Sequence, residues 1–265
     1  MRTMMNQTAK GVQIYLKTSA RMQQKYLDVL LSNVQVEKDW NILDLGCGTG
    51  NGTIKLANMV GPNGKVIALD PIPRRIELAK EKHYADNIEY HIAYGQDAAQ
   101  FGKEKFDLVV AGTVMHWVSP EEKPKVFESV FESLKSGGIF LFNSMVSIET
   151  VSTYPIYGFL KDQNLVSYLR SKFYTTTIAR YEELALQAGF VESVGKTKEM
   201  RIYFESVEPI LYYIASSLHL ADFDEMLNEL RAIMNNDKID KKFLYDEQGR
   251  AYDESEYIFM KCRKQ

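Results

Sequence analysis

Apolar residues near the start of the chain recur at three- and four-residue intervals, through Ile14, Leu16, Met22, Tyr26, Leu27, Leu30 and Leu31. That spacing predicts an amphipathic helix within the first forty residues. The rhythm then changes. A compact apolar run, Asn41 to Leu45, stops abruptly in glycines and predicts a buried strand followed by a turn. Similar runs at Lys65–Leu69, Ile88–Ala93, Phe106–Ala111 and Ile139–Asn143 predict strands two to five. Helical spacings fill the gaps at Gly50–Met59, Arg74–Lys82 and Lys125–Leu134, and Gly61-Pro62-Asn63-Gly64 marks a turn between the first helix and strand two.

This alternation is the spacing of βαβ units, so the fold class is α/β, a Rossmann-like αβα sandwich with helices on both faces of a mostly parallel sheet. Beyond residue 145 the pattern loosens. A Tyr-rich helical stretch covers about 154–174, and a helix over Tyr181–Ala188 stops at Gly189. Phe190–Tyr203 predicts a sixth strand, bent near Gly195, and Glu256–Cys262 a seventh. Two helical patterns, 209–218 and 224–234, lie between them. The expected organisation is one domain over 1–265. It divides into a helical cover (1–38), a ligand-binding core (39–145) and a substrate-side half (146–265) with a helical insertion at about 205–250.

Composition changes this picture little. Hydrophobic residues make up 45% and charged residues 25%, enough for a real core, and a net charge of −3 leaves no broad basic footprint for nucleic acid. No stretch reaches the ~18 consecutive apolar residues of a membrane span. The two cysteines, Cys47 and Cys262, lie far apart and without metal-ligand spacing, so a reducing cytoplasmic setting and no metal are expected.

The chemistry concentrates in Asp44-Leu45-Gly46-Cys47-Gly48-Thr49-Gly50. Alternate glycines permit a tight strand-to-helix turn and close approach of a ligand to the backbone. A dinucleotide fingerprint places a third small residue where Asn51 stands, which disfavours a nicotinamide cofactor. Asp44 ahead of the turn suits a cationic, amino-acid-like ligand better than a pyrophosphate. Asp70, twenty positions after Gly50, is placed to accept hydrogen bonds from two ribose hydroxyls.

With its acid at the end of strand two, this motif resembles motif I and its partner in class I S-adenosylmethionine-dependent methyltransferases. Gln96-Asp97-Ala98 lies where that family contacts the adenine amino group, and Phe106-Asp107-Leu108-Val109-Val110 is similar to its fourth strand. Leu134-Lys135-Ser136-Gly137-Gly138 is similar to its L-K-P-G-G turn, with Ser136 in place of Pro. The resemblance implies S-adenosyl-L-methionine as cofactor and a seven-stranded sheet of order 3-2-1-4-5-7-6. It also implies a cofactor site built from Asp44, Gly46, Cys47, Gly48, Gly50, Asp70, Pro71, Gln96, Asp97, Ala98, Ala111 and Gly112.

At the mouth of that site lies Met115-His116-Trp117-Val118, with His116 a candidate base or hydrogen-bond donor and Trp117 a candidate pocket wall. The segment is similar to one in juvenile hormone acid methyltransferases, with relatives in trans-aconitate and malonyl-carrier-protein methyltransferases, all of which methylate carboxylic acids. The expected acceptor is therefore a small hydrophobic carboxylic acid, whose group is already ionised and needs no base. A hydroxyl, amine or carbon acceptor, and a cofactor-binding pseudoenzyme acting through a protein partner, remain open. Tyr15, Gln23 or Gln24 in the first helix, Tyr154, Tyr157, and Tyr212, Tyr213, Leu218 and Met226 of the insertion are candidate covers or pocket walls. Arg170, Arg180 and Arg201 are candidates for gripping a carboxylate. The expected partners are a small-molecule acceptor without nucleic acid or membrane, in a monomer or homodimer.

Overall fold

Why the apolar runs become strands is visible in their burial: β1 (Asn41–Leu45), β2 (Lys65–Asp70) and β4 (Phe106–Ala111) bury almost every side chain. Strands covered on both faces need no polar alternation. The computed structural model describes residues 9–146, 173–217, 223–236 and 245–265. Within them, α1 (Ala9–Leu31) precedes β1, α2 (Asn51–Val60) leads to β2, and α3 (Pro73–Lys82) leads to β3 (Ile88–Ile92). A 3-10 segment, Gly95–Phe101, joins β3 to β4, and a second, Met115–Trp117, precedes α4 (Lys123–Ser133) and β5 (Leu134–Met145). Then come α5 (Ile178–Ala188), β6 (Glu192–Phe204), α6 (Glu208–Ser217), α7 (Phe223–Met234) and β7 (Ala251–Arg263).

The seven strands pair in the order β3-β2-β1-β4-β5-β7-β6, with β7 antiparallel to both neighbours. This is the order the resemblance implies. Alternate residues point to opposite faces. One face carries Leu43, Leu45, Val109, Phe140 and Phe142 against α4 and α5. The other carries Ile42, Leu108, Val110, Leu141, Met145, Tyr257 and Phe259 against α1 and α2. Helix α1 earns its place through Met22, Tyr26, Leu27 and Leu30, buried at helical spacing while Gln24 and Lys25 face outward.

The differences from the sequence expectation lie at element ends. Strand β5 begins at Leu134 and breaks register between Phe106 and Leu108, so the Lys-Ser-Gly-Gly segment enters the strand instead of preceding it. Strand β7 begins at Ala251, five residues early, because Asp253 and Ser255 are buried and pair with β6. Helix α5 starts at Ile178, where the Thr177 side chain accepts from the Arg180 amide. The expected Tyr-rich helix falls almost wholly on residues outside those described. No described helix is long and apolar enough to cross a membrane.

Candidate functional site

The carboxyl ends of β1, β2 and β4 converge on the glycine turn. Gly46, Gly48 and Gly50 all have positive φ, at 70°, 58° and 87°. At Gly46 the constraint is also steric: an added Cβ would lie 2.3 Å from Val114 Cγ2. The loop after β4 therefore packs directly on the turn after β1. The Gly46 and Cys47 amides donate to the Leu69 carbonyl at 2.7 and 3.0 Å, closing the turn against β2. Helix α2 starts at Asn51 with no side-chain cap, leaving the positive end of its dipole to another partner.

Two carboxylates flank the turn. Asp44 is buried and accepts from Thr53 Oγ1 at 2.7 Å, and burial pushes its pKa up to about 6. Asp70 accepts from the Gly48 amide at 3.0 Å and from the Ile72 amide at 2.9 Å, with Arg75 at 3.7 Å. Its pKa is also raised, by burial first, with Arg75 pulling the other way. Each oxygen of Asp70 holds one loop amide; Oδ2 also faces Arg75, and Oδ1 keeps a further lone pair for a ligand. Pro71 is half-buried beside it. The Cys47 thiol is buried and its pKa pushed well up by desolvation, so this cysteine is a small packing residue and not a nucleophile.

Asp97 lies on the first 3-10 segment, half-buried, and accepts from the Tyr94 amide at 3.0 Å. Gln96 is also half-buried, whereas the Ala98 side chain is wholly inside the core, so only its backbone can face a ligand. Ala111 is buried as well, but a Cβ built on Gly112 meets nothing within 4 Å. Open space therefore begins where β4 ends. Thr113 follows at φ 58°, its amide donating to Asn143 Oδ1 at 2.9 Å.

His116 is 3% exposed. Its Nδ1 accepts the Met145 amide at 3.4 Å, which assigns the ring proton to Nε2. Burial, and secondarily Lys123, push its pKa down to about 3. Trp117 and Phe173 pack around it, with ring centroids 4.5 Å apart and each within 5.5 Å of the imidazole. Lys123 is held by the carbonyls of Val118 and Tyr174 at 2.5 and 2.7 Å, and burial lowers its pKa to about 8.

Of the candidate covers, Gln23 accepts from Asn51 Nδ2 at 3.1 Å, bringing α1 over the start of α2. Gln24 points outward. Tyr212 is drawn elsewhere, its hydroxyl accepting from Arg231 on α7 at 2.9 Å, while Tyr213 packs against the α1-side core. Arg201 pairs with Glu254 and Arg180 with Glu183 on the surface, so neither guanidinium is directed at the turn. Tyr154, Tyr157, Arg170 and Leu218 lie outside the described residues, as do the side chains of Tyr15 and Met226. Sequence reasoning missed Asn143, which is fully buried with an Nδ2 that has no hydrogen-bond partner among the described residues. The signal was an amide directly after the apolar run Ile139–Phe142. Among the described residues no three His, Cys, Asp or Glu side chains converge on a metal-sized site.

The family described as "Methyltransferase domain" matches residues 36–202. The malonyl-[acyl-carrier protein] O-methyltransferase of Acetivibrio thermocellus is 29% identical over 139 residues, 52% of this chain and 47% of that protein. The demethylmenaquinone methyltransferase of Lactococcus lactis is 39% identical over 121 residues, 44% of this chain and 45% of that one. The chain thus spans about half the length of these curated relatives. Phosphoethanolamine N-methyltransferase 2 of Haemonchus contortus, solved with phosphomonomethylethanolamine and S-adenosylhomocysteine, shares the fold. It superposes with a TM-score of 0.62 at 15% identity, covering 97% of this chain and 58% of that one.

Proposed function

The chain belongs to the methyltransferase-domain family of class I S-adenosylmethionine-dependent folds, and we propose that it transfers a methyl group from S-adenosylmethionine to a small apolar carboxylic acid. The observation that carries the cofactor half is the left-handed glycine turn set between two buried carboxylates, Asp44 and Asp70. These residues fit the group. Asp44 suits its ammonium, the uncapped N-terminus of α2 its carboxylate, Asp70 the ribose hydroxyls and Asp97 the adenine amine. Burial strengthens that fit, because a carboxylate raised toward neutrality by desolvation gains most from a cation brought alongside it.

When bound, the cofactor supplies an electrophilic methyl on a sulfonium. What remains for the protein is to hold a nucleophile in line and keep water away. His116 is a poor base in this setting: its pKa near 3 and the Met145 amide on Nδ1 keep it neutral and its proton on Nε2. An acceptor that needs no deprotonation fits best, and a carboxylate is such a group. Asn143 Nδ2 is a donor for one of its oxygens, with the Trp117 and Phe173 rings as the apolar wall. O-methylation is also the activity named for the malonyl-[acyl-carrier protein] relative. The demethylmenaquinone relative favours a second reading, an apolar ring acceptor.

Calorimetry with S-adenosylhomocysteine and, separately, NAD tests the cofactor half. The expected outcome is binding of the first alone, lost in Gly48→Val and in Asp70→Ala. Unchanged affinity in both variants would remove the glycine turn from the site. Release of S-adenosylhomocysteine on adding medium-chain carboxylic acids, and none on adding matched alcohols, tests the acceptor half.

A further inference from the structure

Lys123 stands where a cation is least expected. It is 3% exposed, it opens α4, and no carboxylate among the described residues lies within ion-pair distance of it. Burial penalises an ammonium, and the positive end of the α4 dipole repels it. Burial accordingly drives its pKa down to about 8, with the exposed Glu121 pulling the other way. An apolar side chain of similar length would fill the same space without these costs. What such a side chain could not do is donate hydrogen bonds.

Those hydrogen bonds go to two segments far apart in the chain. Nζ donates to the Val118 carbonyl, five residues back, at 2.5 Å, and to the Tyr174 carbonyl, fifty-one residues on, at 2.7 Å. The Tyr174 amide in turn donates to the His116 carbonyl at 2.7 Å. The three bonds close a circuit, from His116 to Tyr174 to Lys123 to Val118 and back along the chain. Trp117 lies within that circuit between His116 and Val118, and Phe173 directly precedes Tyr174. Their rings are 4.5 Å apart, and each lies within 5.5 Å of the imidazole. Lys123 also acts on His116 through its charge, which after burial is the second cause of the depressed imidazole pKa.

We propose that Lys123 is a positioning residue of the acceptor mouth, whose ammonium ties the 116–118 turn to the 173–174 segment and so fixes the Trp117–Phe173 wall beside His116. A hydrogen bond from a cation to a carbonyl is about twice as strong as one between neutral groups. That strength suits a tie between two segments that share no secondary-structure element. Without the ammonium, the Val118 and Tyr174 carbonyls lose this donor, and the backbone bond from Tyr174 to His116 no longer has a second bond beside it. The proposal rests on the reading of the β4–β5 mouth as the place where the acceptor binds.

The test compares Lys123→Met, which keeps the length and removes the donors, with Lys123→Arg, which keeps a cation. Both are made in a Trp40→Phe background, so that Trp117 is the sole tryptophan. Acrylamide quenching of Trp117 fluorescence is expected to rise several-fold in Lys123→Met and to stay at the parent value in Lys123→Arg. By NMR titration the His116 midpoint is expected to rise by about one pH unit or more in Lys123→Met alone, as a neighbouring cation is removed. If Lys123→Met does not fold, Lys123→Gln, too short to reach both carbonyls, takes its place with the same expected changes. Either readout unchanged in the folded variant, or changed equally in Lys123→Arg, overturns the proposal. In saturating S-adenosylhomocysteine, calorimetry with decanoate is expected to show binding weakened about tenfold in Lys123→Met and kept in Lys123→Arg. Unchanged decanoate affinity in Lys123→Met overturns the link to the acceptor. No decanoate binding by the parent protein defeats the carboxylate reading of the mouth, and the two spectroscopic readouts then decide the tie by themselves.

Discussion

Replacing Gly46 by alanine tests whether the glycine turn is held by backbone conformation alone or also by the loop packed on it. The residue sits at φ 70°, and the new methyl carbon would lie 2.3 Å from Val114 Cγ2 and 3.3 Å from Cγ1. A left-handed backbone costs a residue with a Cβ about 1–2 kcal/mol. Overpacking against Val114 adds about 1–3 kcal/mol, since a β-branched side chain has few rotamers in which to retreat. The sum is about 2–5 kcal/mol. In urea, with a slope of about 3 kcal/mol/M, this lowers the unfolding midpoint by roughly 1 M. The two contributions separate in a double-mutant cycle. In a Val114→Ala background the clash disappears and only the conformational cost remains, so Gly46→Ala costs about 1–2 kcal/mol there. S-adenosylhomocysteine affinity follows the same order, weakest in Gly46→Ala and partly restored in the double variant. A loss below about 0.5 kcal/mol in Gly46→Ala, or no recovery on removing Val114, refutes the close approach of the two loops.

Two further outcomes follow from the buried ionisable groups. Asp44→Asn is expected to stabilise the ligand-free protein while weakening cofactor binding. Because its pKa is raised from the usual carboxylate range to about 6, Asp44 contributes stability below about pH 4 that is lost as pH rises through 6. The cost of keeping it ionised is at most about 3 kcal/mol. Thermal unfolding should show the gain of Asp44→Asn growing from pH 5 to pH 7 and flat above, and a pH-independent difference contradicts the assignment. His116 should remain neutral across the working range: its imidazole proton resonances stay fixed between pH 5 and pH 8 in NMR titration. A transition near 6.5, the ordinary histidine value, would restore it as a candidate base.

How far the sequence reveals each part depends on how local the determining physics is. The sheet was readable because a parallel strand covered on both faces must be apolar along its length, as in Val66–Leu69 and Leu108–Ala111. The glycine turn was readable because its conformation, its ligand approach and one of its carboxylates are packed into Asp44–Gly50. The acceptor side has no such compactness. His116 stands in the expected loop, but its neutrality comes from burial, from Lys123 seven residues on, and from the Met145 amide, which is distant in the chain. Tyr212 and Tyr213 are neighbours a helical step of about 100° apart, and packing of α6 turns the second toward the core and the first toward Arg231. Asn143 could be noticed as one amide directly after an apolar run. Asp253 could not, because Asp253-Glu254-Ser255-Glu256 looks like a solvated loop until β6 pairs with it and Asp253 and Ser255 are buried. A sequence therefore announces a turn whose determinants lie within Asp44–Gly50, and conceals polar side chains buried by elements far apart in the chain.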